Sequence, residues 1–195
     1  MLSLDSTAID LCLSLFPRPT SSDKRDSKLL FLLDHDGYLP DFAVITDGKT
    51  ADVTATMLPA GSIVAVDRGY YDFDLFAQWN NSGVLFVTRL KSNATYEVVK
   101  DCTLPQHSNV LTDQFIEFTG YQSRQKFPGP LCRVVVWDED NQHEIEPLTN
   151  HLRFGATTIG RIYRDRWEIE LFFKVLKQHL PIKTFVGTTP NALKT

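Results

Sequence analysis

The order of strand-like and helix-like segments in the first half of this 195-residue chain restricts its fold more than any other feature of the sequence. Runs of apolar and β-branched residues, flanked by Gly, Pro, Asp or Asn, predict five strands at Leu2–Asp5, Lys28–Leu33, Phe42–Thr46, Ser62–Asp67 and Val84–Arg89. The first three are expected to pair antiparallel, with a hairpin loop at Asp34-His35-Asp36-Gly37. Helical patterns at Ala51–Leu58 and Asp72–Asn81 predict crossovers between later strands, which can then pair in parallel.

This order predicts an α/β protein with a mixed sheet, and not a β-sandwich or a helical bundle. It suits a ribonuclease H-like mixed sheet flanked by helices. Between residues 93 and 150 the pattern changes to short strands separated by Pro-, Gly- and Asp-rich turns, at Tyr96–Lys100, Gln114–Thr119 and Leu131–Trp137. We therefore expect a core formed by residues 1–92 and 151–195, with a β-rich insertion at residues 93–150 before the last helix.

Charge is distributed unevenly along the chain. The net charge is -4, from 20 basic and 24 acidic side chains, which by itself argues mildly against a nucleic-acid partner. From Arg161 to Lys194, however, seven basic residues accompany only three acidic ones. The distribution therefore leaves a nucleic-acid partner open.

Neither the apolar stretches nor the cysteines indicate a membrane or secreted protein. No stretch approaches the roughly 20 apolar residues of a membrane span, and the start, MLSLDSTAID, lacks the basic region and cleavage site of a secretory signal. The cysteines, Cys12, Cys102 and Cys132, are far apart and odd in number, so we expect them to be small core residues in a reducing compartment. We predict a cytoplasmic protein with no membrane partner.

The longest periodic segment is Thr157–Leu180, and Pro181 is expected to end it as a helix. With an advance of about 100° per residue, one side of this helix carries an apolar face for packing against the sheet. That face consists of Ile162, Ile169, Phe172, Phe173, Val175 and Leu176.

The other side of the same helix carries a polar stripe. Within about 60° of one another lie Tyr163, Arg166, Glu170 and Lys177. Trp167 and Lys174 project close to the stripe. An ordinary solvated face is one interpretation, with an i,i+4 pair of Arg166 and Glu170 worth about 0.2–0.5 kcal/mol. It leaves exposed aromatic residues beside cations unexplained, whereas a nucleic-acid site uses aromatic rings for stacking and Arg or Lys for phosphates.

The spacing Tyr163-x2-Arg166-x3-Glu170-x6-Lys177 resembles the Y-(2)-R-(3)-E-(6)-K signature of the insertion-sequence-four family of bacterial DDE transposases. The sequence around the signature, and Leu148-Thr149-Asn150 before it, are also similar to that family. The resemblance spans nearly the whole chain. It implies a catalytic core that cleaves and rejoins DNA phosphodiesters in cut-and-paste transposition. The cofactors it implies are two divalent metal ions, Mg²⁺ or Mn²⁺.

The family's other two acidic residues are an Asp in the first strand and an Asp at the end of the fourth, and Asp5 and Asp67 match those places. Asp67 also has independent support, because Ser62–Val66 reads as a buried parallel strand and ligand-binding groups lie just beyond the carboxyl ends of such strands. A capping role stays open for Asp67, and a cap or edge role for Asp5. The acidic residues that compete with them are Asp10, Asp34, Asp36, Asp47 and Asp52, and His35 could suggest a metal pair with a neighbouring Asp; turn chemistry explains most of these better. Glu168 points roughly 160° away from Glu170.

The resemblance implies a role for each of these residues. Asp5 would bridge the two metal ions, and Asp67 and Glu170 would each complete one. The DNA-binding residues would be Tyr163, Arg166, Trp167, Lys174 and Lys177. The implied partners are double-stranded DNA, at transposon ends and target, and a second copy of the chain in a homodimer assembled on DNA at the bacterial nucleoid.

The chain also departs from the family. Only four residues precede Asp5 and the chain ends at Thr195, whereas family members carry an N-terminal DNA-binding region and further helices after the signature. We therefore expect a chain truncated at both ends relative to that family, with impaired activity by itself. Two alternatives stay open: a non-catalytic remnant that binds DNA or a full-length transposase, and a different ribonuclease H-like nuclease.

Overall fold

The computed structural model of the chain describes residues 1–9, 27–35, 39–46 and 58–179. The predicted helix at Ala51–Leu58 falls almost entirely outside the described residues, as do the tip of the predicted hairpin loop and the chain after His179. No helix among the described residues is long and apolar enough to cross a membrane.

The first five strands form the predicted mixed sheet. Their bounds are β1 Leu2–Ile9, β2 Ser27–Asp34, β3 Leu39–Thr46, β4 Ile63–Val66 and β5 Leu85–Arg89. They lie in the order β3-β2-β1-β4-β5. The β1–β2 and β2–β3 pairs are antiparallel, whereas β4 runs parallel to both β1 and β5. The α/β class and the ribonuclease H-like arrangement predicted from the sequence are therefore confirmed.

The strands after residue 93 extend this sheet. They are β6 Tyr96–Asp101, β7 Val110–Phe118, β8 Leu131–Asp138, β9 His143–Ile145 and β10 Pro147–Thr149. Beyond β5 the order continues β10-β8-β7-β6, and β9 pairs with β8. The three strands predicted in this region are present, but β9 and β10 have only three residues each, too few for a pattern to reveal them. The division of the chain into residues 1–92, 93–150 and 151–195 stays a prediction.

Helices cover both faces of the sheet. A 3-10 turn, Arg68–Tyr70, follows β4; the α-helices are α1 Phe73–Asn81, α2 Tyr121–Lys126, α3 Ala156–Asp165 and α4 Trp167–His179. Because side chains alternate along a strand, β4 sends Val64 and Val66 into the core beneath α1 and sends Ala65 into the core beneath α3. In the same way β2 turns Leu33 toward α4.

The predicted single helix Thr157–Leu180 is wrong in two respects. It is two helices, separated at Arg166, whose φ of -53° and ψ of -31° are still helical. Neither Pro nor Gly lies at the break, so the sequence does not signal it. The side that faces the sheet is also displaced from the predicted apolar face. Val175 was expected to face the sheet but is 54% exposed, and Leu171 is 61% exposed. The buried arc consists of Ile159, Ile162, Tyr163, Arg166, Ile169 and Phe173.

The centre of that buried arc lies close to Arg166, when each residue advances by about 100°. One half of the arc packs through α3 on the core around Ala65 and Val87, and the other half packs through α4 on Leu33. Part of the predicted polar stripe therefore faces the sheet, at the level where β1 and β4 carry their aspartates.

Candidate active site

Asp67 stands at the carboxyl end of β4, as predicted. Its backbone is extended, with φ of -70° and ψ of 163°, and it caps the 3-10 turn that follows. The Oδ1 atom accepts a hydrogen bond of 2.8 Å from the backbone N–H of Gly69. Asp67 therefore has the capping role that the sequence left open, but this role uses only one of its carboxylate oxygens. The Oδ2 atom faces α4, and the side chain is 44% exposed.

Asp5 lies beside Asp67 by strand register. In the parallel pair of β1 and β4, Leu4 is aligned with Val66, so the next residue of each strand is an aspartate. Leu4 packs beneath α1, and alternation therefore turns Asp5 to the opposite face, the one that α3 and α4 cover. The two aspartates predicted as metal ligands are thus neighbours on one face of the sheet.

Glu170 reaches the same region from α4. Ile169, on one side of it in sequence, is fully buried against Leu33, and Phe173 packs in the same cluster. These contacts fix the rotation of α4 and leave Glu170 at the edge of the buried arc, with its side chain 43% exposed.

Arg166 joins the carboxylates of Asp67 and Glu170. Its Nη2 atom donates a hydrogen bond of 3.0 Å to Oε1 of Glu170 and lies 3.8 Å from Oδ2 of Asp67. The side chain is only 3% exposed. Burial alone would lower the pKa of this guanidinium, but the neighbouring phenol and the two carboxylates outweigh it and raise the pKa. Arg166 is therefore a buried cation at the junction of α3 and α4.

Two aromatic rings flank this guanidinium. The Arg166 Cζ lies 5.5 Å from the ring centroid of Tyr163 and 5.7 Å from that of Trp167, both within the range of cation–π attraction. Tyr163 was expected to be exposed, and that prediction is wrong: the residue is 4% exposed, and burial raises the pKa of its phenol. Its ring packs in the core beneath α3 because the buried arc is centred on Arg166.

The other predicted DNA-binding residues lie farther out on α4. Trp167 is 45% exposed, as expected for a ring available for stacking, and Lys174 is also exposed. Lys177 belongs to α4, but its side chain lies outside the described part of the structure.

A cleft of about 350 Å³ opens over these residues. It is lined by Asp67, Arg68, Arg89, His143, Ile145, Tyr163, Arg166, Trp167 and Glu170. Arg68, Arg89 and His143 were not predicted. The first two follow from the rule that sites lie at the carboxyl ends of parallel strands, since Arg68 comes directly after Asp67 and Arg89 ends β5. His143 gave no signal, because β9 was not predicted.

Among the competing groups, Asp34 lies 3.8 Å from the N-terminal amine and the His35 ring contacts the Ser3 hydroxyl at 2.6 Å. Asp10, Asp36, Asp47 and Asp52 lie outside the described residues. Glu168 is absent from the cleft lining. Of the acidic residues that the structure describes, Asp67 and Glu170 are the two that meet at this cleft.

The donor set suits a divalent cation in chemistry, since Asp5, Asp67 and Glu170 offer only hard carboxylate oxygens. Two of these carboxylates already face one positive charge, that of Arg166. Within the described ranges, no three His, Cys, Asp or Glu side chains converge closely enough to hold a metal ion. The guanidinium group thus stands between ligands that a metal ion would need.

The family model described as the transposase DDE domain matches residues 1–195. A putative transposase, y4zB, of Sinorhizobium fredii is 29% identical over 198 residues, covering 98% of this chain and 55% of the relative. The probable transposase for insertion sequence element IS5377 of Geobacillus stearothermophilus is 29% identical over 200 residues, covering 97% of this chain and 51% of the relative. The chain spans about half the length of these relatives.

Among solved structures, the piggyBac transposase in a synaptic complex with hairpin DNA has a similar fold. The TM-score is 0.53 at 14% sequence identity, and the match covers 99% of this chain and 43% of that one. This likeness concerns the fold alone, and it agrees with the mixed sheet and its flanking helices. Together with the family match over its whole length, it supports the assignment made from the signature: the chain belongs to the transposase DDE domain family.

Proposed function

We propose that this chain is the catalytic domain of a DDE transposase, which cleaves DNA strands and joins them to new sites with two divalent metal ions, Mg²⁺ or Mn²⁺. The observation that carries the proposal is the meeting of Asp67 and Glu170, from a strand end and a helix, around one buried cation. Asp5 stands next in register on the same face of the sheet.

Each acidic residue has a role in this mechanism. Asp5 would bridge the two ions, while Asp67 and Glu170 would each complete the ligands of one. When bound, the ions supply activation of a water or 3′-hydroxyl nucleophile and stabilisation of the leaving oxygen. The Gly69 N–H holds Oδ1 of Asp67, which fixes the direction of its carboxylate. No side chain acts as the nucleophile.

The cations and rings around the cleft fit a DNA strand. Arg166 lies at its base, Arg68 and Arg89 line it, and Lys174 is exposed along the same helix. Arginine side chains bind phosphate oxygens in bidentate fashion, and the exposed ring of Trp167 can stack on an unpaired base. We propose double-stranded DNA as the partner, with Lys177 as a further phosphate contact. Synapsis of two transposon ends makes a homodimer on DNA, at the nucleoid, the natural assembly.

A cleavage assay tests the proposal. The chain is incubated with a cognate DNA end and Mg²⁺ or Mn²⁺, and wild type is compared with Asp5→Ala, Asp67→Ala and Glu170→Ala. We expect metal-dependent nicking by the wild type and its loss in all three variants. Glu168→Gln is the matched control, because it removes a carboxylate from the same helix but away from the cleft, and it should keep the wild-type rate.

Two results would overturn the assignment in different ways. Cleavage that survives all three alanine substitutions would remove the triad from the mechanism. DNA binding by the wild type without any cleavage would favour the second candidate, a non-catalytic domain that binds DNA or a longer transposase. That candidate is supported by Arg166, whose guanidinium faces the Asp67 and Glu170 carboxylates that a metal ion would need.

A further inference from the structure

The contacts of Arg166 affect how the proposed active site binds metal ions. Asp67 and Glu170 supply its two ion pairs among the described residues, and both are proposed metal ligands. Its Nη2 atom lies 3.0 Å from one carboxylate and 3.8 Å from the other, in the space between them. A metal ion bound by either carboxylate would meet the positive charge of the guanidinium at that oxygen. Arg166 and a metal ion therefore compete for these oxygens.

The same guanidinium is incompletely satisfied. Its Nε and Nη1 atoms are buried and have no hydrogen-bond partner among the described residues. Buried polar groups are normally hydrogen-bonded, and an exception calls for an explanation. The two flanking rings stabilise its charge through cation–π contacts. Arg166 thus has free donors at the base of a cleft that Arg68 and Arg89 make positive, a combination that suits an anion such as a DNA phosphate.

We infer that Arg166 couples metal loading to DNA binding, by occupying the Asp67 and Glu170 carboxylates in the free protein and releasing them when it turns to a DNA phosphate. The inference rests on the proposed function. Without DNA, Arg166 is the counter-ion of the two carboxylates and keeps their affinity for divalent ions low. A bound phosphate replaces the carboxylates as its partner. By linkage, metal binding strengthens DNA binding by the same factor.

Metal affinity can be measured without any reaction, by titrating the full chain with Mn²⁺ and following the free ion by electron paramagnetic resonance. Wild type is compared with Arg166→Gln, in the presence and absence of a short DNA duplex. Arg164→Gln is the matched control, since Arg164 is on the same segment, is 72% exposed and lies 3.7 Å from Asp140. Without DNA, we expect R166Q to bind Mn²⁺ about tenfold more tightly than wild type, within the usual range of couplings. R164Q should match wild type.

DNA should tighten Mn²⁺ binding by the wild type and leave R166Q unchanged. Asp67→Asn in the R166Q background should abolish the tight binding; if it does not, the ion is bound elsewhere and the inference fails. The wild-type comparison with and without DNA needs no variant, so the inference stays testable even if R166Q unfolds. Equal affinity with and without DNA in the wild type would overturn it.

The titration also separates this inference from the proposed function. If wild type and R166Q bind Mn²⁺ equally and Asp67→Asn abolishes binding, the metal site stands but the coupling through Arg166 is wrong. If none of the proteins binds Mn²⁺, both the coupling and the proposed metal-dependent function are wrong.

Discussion

Replacing Glu170 with glutamine should destabilise the free protein. In a site where carboxylates only repel one another, removing one negative charge is stabilising, so the sign of the change is informative. Here Glu170 accepts a hydrogen bond of 3.0 Å from Arg166, whose side chain is 3% exposed. Loss of the negative charge would leave a buried guanidinium with one carboxylate fewer.

The size of the effect follows from the geometry. A hydrogen bond to a charged group contributes about 1.5–3 kcal/mol. Because the Glu170 side chain is 43% exposed, solvent screening reduces this contribution to about 1–2 kcal/mol. The contribution stays above that of an ordinary surface ion pair because the partner, Arg166, is buried. Glutamine keeps an oxygen that can accept the bond, so the lower half of that range applies to Glu170→Gln and the upper half to Glu170→Ala. For a chain of this length, 1 kcal/mol corresponds to a change in Tm of about 2–4 °C.

The assay is thermal unfolding followed by circular dichroism, with EDTA present and no DNA. We expect Tm to fall by about 2–8 °C across the two Glu170 variants. Glu139→Gln is the control, because Glu139 is exposed in a turn and its loss should change stability by less than about 0.5 kcal/mol. A rise in Tm for Glu170→Gln would refute the reasoning, since it would mean that carboxylate repulsion outweighs the contact with Arg166.

Three further results are expected. Asn150→Ala should lower the free energy of unfolding by about 2–4 kcal/mol, measured by urea denaturation, because its side chain bonds the buried Phe86 N–H at 2.9 Å and the Val84 carbonyl at 3.0 Å. Trp167→Ala should lower stability by only about 0.5–1 kcal/mol, through loss of its contact with Arg166. It should weaken binding of a duplex with an unpaired base by about tenfold, measured by fluorescence anisotropy, because stacking contributes about 1–3 kcal/mol per base. Burial raises the pKa of the Cys132 thiol to about 12, so iodoacetamide at about pH 8 should modify it only after unfolding.

Each of these results has a control or a contradicting outcome. Asn141→Ala removes exposed turn contacts and should change stability far less than Asn150→Ala. Equal losses of unfolding free energy in the two variants would contradict a structural role for Asn150. Tyr121 is 85% exposed and does not line the cleft, so Tyr121→Ala should leave DNA affinity unchanged. Rapid modification of Cys132 in the native protein would contradict its burial.

The sequence predicts the core of the fold because that core depends on local patterns. The strands β1, β2, β4 and β5 each show a run of apolar residues long enough to recognise, and the end of β4 identifies Asp67. The spacing of residues around Glu170 identifies the helix that faces Asp67. These features depend on strand alternation and strand order, which a sequence carries directly.

The rest of the site depends on packing between distant segments. A helical wheel gives relative angles along one straight helix, but it does not say which arc faces the sheet or that the helix breaks at Arg166. For this reason Tyr163 was expected on the surface, although it is buried, and the burial of Arg166 was missed. His143 enters the cleft through a three-residue strand that pairs with β8, and such a short strand has no periodicity to detect.

The central claim is that Asp5, Asp67 and Glu170 hold divalent ions while DNA is bound. The most direct test is anomalous diffraction from crystals of the chain with a DNA end and Mn²⁺. We predict manganese peaks within bonding distance of these three carboxylates, with the Arg166 guanidinium on a DNA phosphate. A complex with DNA in the cleft, Mn²⁺ in the crystal and no manganese peak at these carboxylates would contradict the claim.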